Sequence, residues 1–171
     1  MPRERGNIFI LYRYCIRMAR LLVIDDDLDT RLLLEALLHN SPHARFFAQN
    51  GTEAKNILRD STVNYVFCDT HMGREYGPSV MKDIQGCCHQ QNYVLVGMNS
   101  LMPSPNKRDR INYHDTDVVK AWMAIGAVGV VNQSYLHDQR NIDSLIAKYP
   151  IDFSRLTTKP SIPCYCLAAT G

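Results

Sequence analysis

LLVIDDDLDTRLLLEALL, residues 21 to 38, decides how the rest of the chain is read. The apolar run Leu21 to Ile24 stops at three consecutive acids, Asp25, Asp26 and Asp27, and a helix pattern begins directly after them. This is a buried strand that delivers carboxylates to its C-terminal end. Taken alone, the triplet also fits a solvated turn, because aspartate caps helix N-termini and the helix dipole favours it there.

A second strand ends the same way. In VNYVFCDTHMG the apolar run Val63 to Cys68 terminates at Asp69. In an open parallel α/β sheet the C-terminal strand ends gather along one edge and sites form in the crevice there. Asp25, Asp26 and Asp69 are therefore expected in one acidic pocket. Three close carboxylates repel one another unless a positive charge sits among them, and a hard, oxygen-seeking divalent cation supplies it. Magnesium is the expected ion.

Working outward, the apolar positions Leu28, Leu32, Leu33, Ala36 and Leu37 recur at three and four residues, which predicts a helix with that stripe facing the core. It ends near Asn40, Ser41 and Pro42. Arg45 to Ala48 reads as a short strand, and NGTEAKNILRD as a turn at Asn50-Gly51 leading into a helix capped by Thr52, with Ala54, Ile57 and Leu58 inward. After Asp69, Gly73 and Gly77 mark a loop and Pro78 suits the first turn of the next helix. Tyr93 to Met98 is a fourth strand, Asp117 to Ile125 a helix carrying Trp122, AVGVV a fifth strand and Asp138 to Tyr149 a last helix. Strands alternating with helices predict a parallel, doubly wound sheet. Five such units are the size of the flavodoxin-like (βα)5 class, whose five-stranded parallel sheet has the order 2-1-3-4-5.

Composition limits the alternatives. The chain has 171 residues, 21% charged and 46% hydrophobic, with a net charge of +2, which suits one well-buried domain. Basic residues are scattered apart from Lys107, Arg108 and Arg110, so no nucleic-acid footprint is expected. The six cysteines form neither a secreted disulfide framework nor paired C-x-x-C hooks, and Cys87, Cys88 and His89 read as reduced thiols near a helix end. A reducing cytoplasm is the expected compartment. The apolar patch Ile8 to Leu11 is broken by Arg13, Arg17 and Arg20 before it reaches signal or membrane length. Residues 1–18 read as an N-terminal extension or an upstream-start artefact, with Met18 as an alternative beginning, residues 19–148 as the domain, and 149–171 as a C-terminal tail without periodicity.

Over residues 19–148 these pieces together resemble a response-regulator receiver domain, the phosphorylatable switch of two-component signalling. The resemblance is carried by LLVIDDD, VFCDTHMGREYG with its Met72-x-x-x-x-Gly77 spacing, GMNS and GAVGVVNQS. It implies Asp69 as phospho-acceptor, and magnesium held by Asp25, Asp26, Asp69 and the backbone carbonyl of His71. It implies a histidine kinase or histidine phosphotransfer protein as partner and an unnamed downstream protein target, and it leaves homodimerisation through the last helices open. The scattered basic residues and the short apolar patch lead to the expectation of no nucleic-acid and no membrane partner. Asp27 reads as a helix-start acid, the His71 imidazole as incidental and Met72 as packing under the loop.

The chain departs from the receiver pattern at several positions. Asn99, followed by Ser100, stands where a receiver places threonine or serine. Gln133 and Ser134 stand at the lysine-proline pair, so the positive charge that would meet the phosphoryl oxygens is missing. Val130 occupies the aromatic switch position, Gly73 replaces a proline, and residues 100–114 read as an insertion beside the pocket. Two functional readings follow: an atypical single-domain receiver accepting phosphate on Asp69 in a phosphorelay, or a pseudo-receiver acting by protein contact alone. A third class, the haloacid-dehalogenase-type phosphatases, shares a D-x-D-x-T strand end, but Asp29 stands where that pattern wants threonine or valine.

Overall fold

A computed structural model describes residues 18–87, 92–100 and 117–151. The expectations for residues 1–17, Cys88 and His89, the 101–116 loop with its basic cluster, and the tail from residue 152 lie outside these residues. The described chain runs β1 (Arg20–Ile24), α1 (Leu28–Leu37), β2 (Ala44–Ala48), α2 (Gly51–Asp60), β3 (Tyr65–Asp69), β4 (His71–Met72), β5 (Glu75–Tyr76), α3 (Gly77–Cys87), β6 (Val94–Met98), α4 (Asp117–Ala124), β7 (Gly129–Val131), a 3-10 turn (Gln133–His137) and α5 (Gln139–Lys148). Five strands form one parallel sheet in the order β2-β1-β3-β6-β7. Counting only the strands of that sheet, this is the expected 2-1-3-4-5.

The strands read as apolar runs because both faces of the sheet are covered, and successive side chains point to opposite faces. Leu22 and Ile24 of β1 join Ala54 and Leu58 of α2, Met81 and Ile84 of α3, and Trp122 of α4 on one side. Leu21 and Val23 pack on the other side with Leu34 of α1 and Ile142 of α5. Three helices therefore cover one face and two the other. Every strand of the sheet consequently ends at the same edge.

The helix after the acid triplet exists, but its predicted phase is wrong. Leu28, Leu32 and Leu33 are 56%, 53% and 42% exposed, and Ala36 is exposed too. The buried stripe is Thr30, Leu34 and Leu38, with Leu37 half-buried. The phase follows from the cap: Asp27 accepts from the Asp29 and Thr30 amides, and its Oδ2 also takes the Thr30 hydroxyl at 2.6 Å. Holding Thr30 beneath the cap turns Leu34 inward one turn later and leaves Leu28 and Leu32 outside.

Two other expectations change. The cap of α2 is Asn50, whose side chain accepts from the Glu53 amide at 2.9 Å, while Thr52 is exposed inside the helix. The segment after Asp69 is not a plain loop but a two-stranded antiparallel hairpin, β4 with β5, turning at Gly73 with φ +57°. That left-handed conformation is the one glycine adopts without a Cβ penalty. Gly77 is the first residue of α3.

The phase of α1 is testable by a pair of truncations. Leu34→Ala should cost about 2–5 kcal/mol as a core cavity, and Leu32→Ala less than about 0.5 kcal/mol as an exposed change. Urea unfolding midpoints check this, and equal losses at the two positions would contradict the assigned face.

Candidate phosphoryl and metal site

Each strand of the sheet except β2 sends a polar residue to the shared edge. Asp25 follows β1, Asp69 ends β3, Asn99 follows β6, and Gln133 opens the turn beyond β7. The hydrogen-bond ladder runs past the strand ends and fixes their levels. The Asp25 amide donates to the Ala48 carbonyl at 3.0 Å, the Thr70 amide to Met98 at 2.9 Å and the Asn99 amide to Val131 at 3.0 Å.

Asp25, Asp26 and Asp69 meet there, each offering a carboxylate oxygen within 4.8 Å of the others. Asp25 is fully buried, Asp69 half-buried and Asp26 exposed at the mouth. The Asp25 carboxylate is held at both oxygens, by the Asp27 amide at 2.9 Å and by Nε2 of Gln133 at 2.6 Å. Gln133 also donates to the Thr30 hydroxyl at 3.2 Å, and that hydroxyl caps onto Asp27. Asp69 Oδ1 accepts from the Thr70 amide at 2.8 Å, and the His71 amide also bonds its carboxylate.

Burial pushes the Asp69 carboxyl up to about 6, and the neighbouring Asp25 charge pushes the same way. Burial also raises Asp25, against the pull of its two hydrogen bonds. Asp27 moves the other way, because the Thr30 hydroxyl and amide favour its charged form. Among the described residues no lysine or arginine forms an ion pair with Asp25, Asp26 or Asp69. Arg31 approaches the pocket but donates to the Asp25 main-chain carbonyl. A converging, all-oxygen donor set with uncompensated negative charge fits a hard divalent cation.

Other candidate residues fall around this centre. Asn99 is buried and Ser100 exposed beside it. The His71 side chain is exposed, its ring centroid 5.8 Å from that of Tyr76 across the hairpin. Met72 is buried under the loop. Gly73 faces Asp26, whose Oδ2 would lie 3.5 Å from a Cβ at that position. Ser134 turns away from the acids, bonding Asn132 by both its amide and its hydroxyl. Sequence reading missed the Gln133 contact to Asp25 and the role of Thr30, which joins Gln133 to the helix cap. An isolated threonine in the first turn of a helix gives no signal of either.

No protein-family model matches the sequence, and no curated protein does. Solved structures do match. A CheY-like response-regulator receiver domain protein from Methanospirillum hungatei JF-1 superposes with a TM-score of 0.61 at 11% identity, covering 77% of this chain and 92% of that one. The chemotaxis protein CheY4 of Vibrio cholerae gives 0.59 at 17% identity, over 77% and 98% of the two chains. The response-regulator domain of Thermotoga maritima CheB gives 0.55 at 18% identity, over 77% and 92%. At these identities the likeness is one of fold. This chain has the fold of response-regulator receiver domains.

The charge balance of the pocket makes a pH prediction. A carboxyl whose folded value is raised binds its proton more tightly when folded, so its stabilising contribution is complete below the ordinary 3.8 and is lost as pH rises through about 6. In metal-free buffer at about pH 7.5, Asp69→Asn should therefore melt higher than the parent, and the advantage should vanish near about pH 4. Melting curves at the two pH values check this. An Asp69→Asn protein less stable than the parent at the higher pH contradicts the cost of holding Asp69 charged in this buried, acidic setting.

Proposed function

We propose that this chain is an atypical single-domain receiver that takes a phosphoryl group on Asp69 from a histidine kinase or histidine phosphotransfer protein, and signals by protein contact. The observation that carries this reading is the convergence of three carboxylates from two strand ends within 4.8 Å. Asp25, Asp26, Asp69 and the His71 carbonyl are the ligands proposed for magnesium, which when bound neutralises charge developing on the phosphoryl oxygens.

In the proposed step a carboxylate oxygen of Asp69 attacks phosphorus, and the bond from phosphorus to the donor's imidazole nitrogen breaks, returning its electron pair to the ring. The Thr70 and His71 amides hold the Asp69 carboxylate in place for that attack. Asn99 offers an amide and Ser100 a hydroxyl to the transferred group. Gln133 keeps Asp25 oriented through a 2.6 Å hydrogen bond. Both of its N–H groups are given to Asp25 and Thr30, so it brings the phosphoryl group none of the charge that a lysine would.

Two surfaces support the partner side of the proposal. Leu28 and Leu32 stand exposed one turn apart on α1, the helix that starts at the acid loop. At the β7 edge of the sheet, an apolar cleft lined by Val96, Val119, Met123, Val130, Leu145 and Tyr149 lies between α4 and α5. It suits an output partner. Among the described residues no helix is long and apolar enough to cross a membrane.

Incubation with magnesium and acetyl phosphate tests the proposal. The expected result is a mass gain of one phosphoryl group, absent in Asp69→Asn. Gln133→Lys should bind beryllofluoride about tenfold more tightly, the difference between a charged and a neutral hydrogen bond. A protein that binds magnesium yet never gains mass is a phosphorylation-independent interaction module instead.

A further inference from the structure

Trp122 is the chain's single tryptophan, and it is completely buried although it belongs to α4 and not to the sheet. Two glycines make its slot. A Cβ on Gly97 of β6 would come within 2.7 Å of three indole atoms. A Cβ on Gly77 would meet the ring at 2.9 Å and the main-chain oxygen of Asp69 at 2.1 Å. The indole therefore packs into a space bordered by the backbone of Asp69.

The one polar atom of the ring is also committed. Indole Nε1–H donates to the Thr70 hydroxyl at 3.0 Å, and that hydroxyl donates to the Met98 carbonyl at 2.5 Å. The Thr70 amide is shared between the same Met98 carbonyl at 2.9 Å and the Asp69 carboxylate at 2.8 Å. Thr70 is fully buried. One residue thus grips the Asp69 carboxylate with its backbone and the α4 indole with its side chain. An indole nitrogen has only its single donor to give, and a buried donor that loses its partner incurs the desolvation cost. Close packing around the ring leaves Thr70 and Trp122 to move together.

We infer that Thr70 and Trp122 form a positioning link that reports the state of the Asp69 carboxylate to helix α4. The inference rests on the acid pocket binding a cation and a phosphoryl group. Val130 packs, partly buried, against the same apolar cluster as Trp122, so the link and that strand position share one side of the sheet. Coupling of this kind is reciprocal: what the pocket does to the indole, loss of the indole donor does to the pocket.

The test uses the full chain, isotopically labelled, titrated with magnesium and then beryllofluoride. The backbone amides of Asp26 and Gly73 report the pocket, and the indole N–H resonance of Trp122 reports the link. The expected result is an indole shift with the same midpoint as the two amides, kept in Thr70→Ser and lost in Thr70→Val while the amides still respond. Trp122→Phe, which keeps the ring packing and removes the donor, should weaken magnesium binding by about fivefold. Combining it with Thr70→Val should weaken binding no further, as expected for two partners in one interaction. Amides that shift beside an unmoving indole, or an indole response that survives Thr70→Val, overturn the link and leave the pocket reading standing. If neither amides nor indole respond in the unaltered protein, the pocket reading fails and the link falls with it.

Discussion

Like-charge repulsion at one edge of a parallel sheet is the constraint on which the rest of this structure depends. The strand ends hold Asp25, Asp26 and Asp69 together with oxygens within 4.8 Å, and Asp25 has no exposure to water. Left to themselves such groups would separate or take up protons, and the Asp69 carboxyl is raised first by its burial and then by the Asp25 charge beside it. What prevents separation is the sheet, whose β1, β3 and β6 strands are buried on both faces and paired residue by residue. Core packing thus maintains an arrangement that electrostatics alone would disperse. An arrangement of this kind is ready for a cation.

The polar residues around the acids form one connected set and not a ring of independent contacts. Asp27 caps α1, Thr30 bonds Asp27, Gln133 bonds Thr30 and Asp25, and Asp25 in turn takes the Asp27 amide. This set joins the start of α1 to the turn after β7, residues more than a hundred positions apart. A lysine at position 133 would bring a charge to the acids, whereas glutamine brings a dipole divided between Asp25 and Thr30. The consequence is a pocket whose negative charge is oriented but not neutralised by the protein itself.

Much of this was legible in the amino-acid sequence, for identifiable reasons. Leu21 to Ile24 and Val63 to Cys68 announce strands because both sheet faces bury them, and each run ends abruptly at an acid. The alternation of such runs with helix patterns led to a parallel, doubly wound sheet, and the strand order followed from the flavodoxin-like class that five such units match. The phase of α1 was not legible, since Leu28, Leu32, Leu33, Leu34, Leu37 and Leu38 put apolar residues all around the helix. Only the Asp27 and Thr30 contacts choose the buried side. The β4–β5 hairpin escaped because two-residue strands carry no periodicity, and Asn50 outcompeted Thr52 as a cap through a side-chain bond to Glu53. Pairings such as Gln133 with Asp25 or Trp122 with Thr70 are products of the tertiary fold and leave no local mark.

Whether the three acids form one cation site is decided by replacing magnesium with manganese and measuring paramagnetic broadening across the amide spectrum. A cation held by these acids selectively removes the signals of residues 25–27, 69–73 and 99 along the C-terminal strand edge and leaves Asn64, at the opposite end, unaffected. Broadening centred on surface acids such as Asp60 or Asp143, or none at all, would contradict that site.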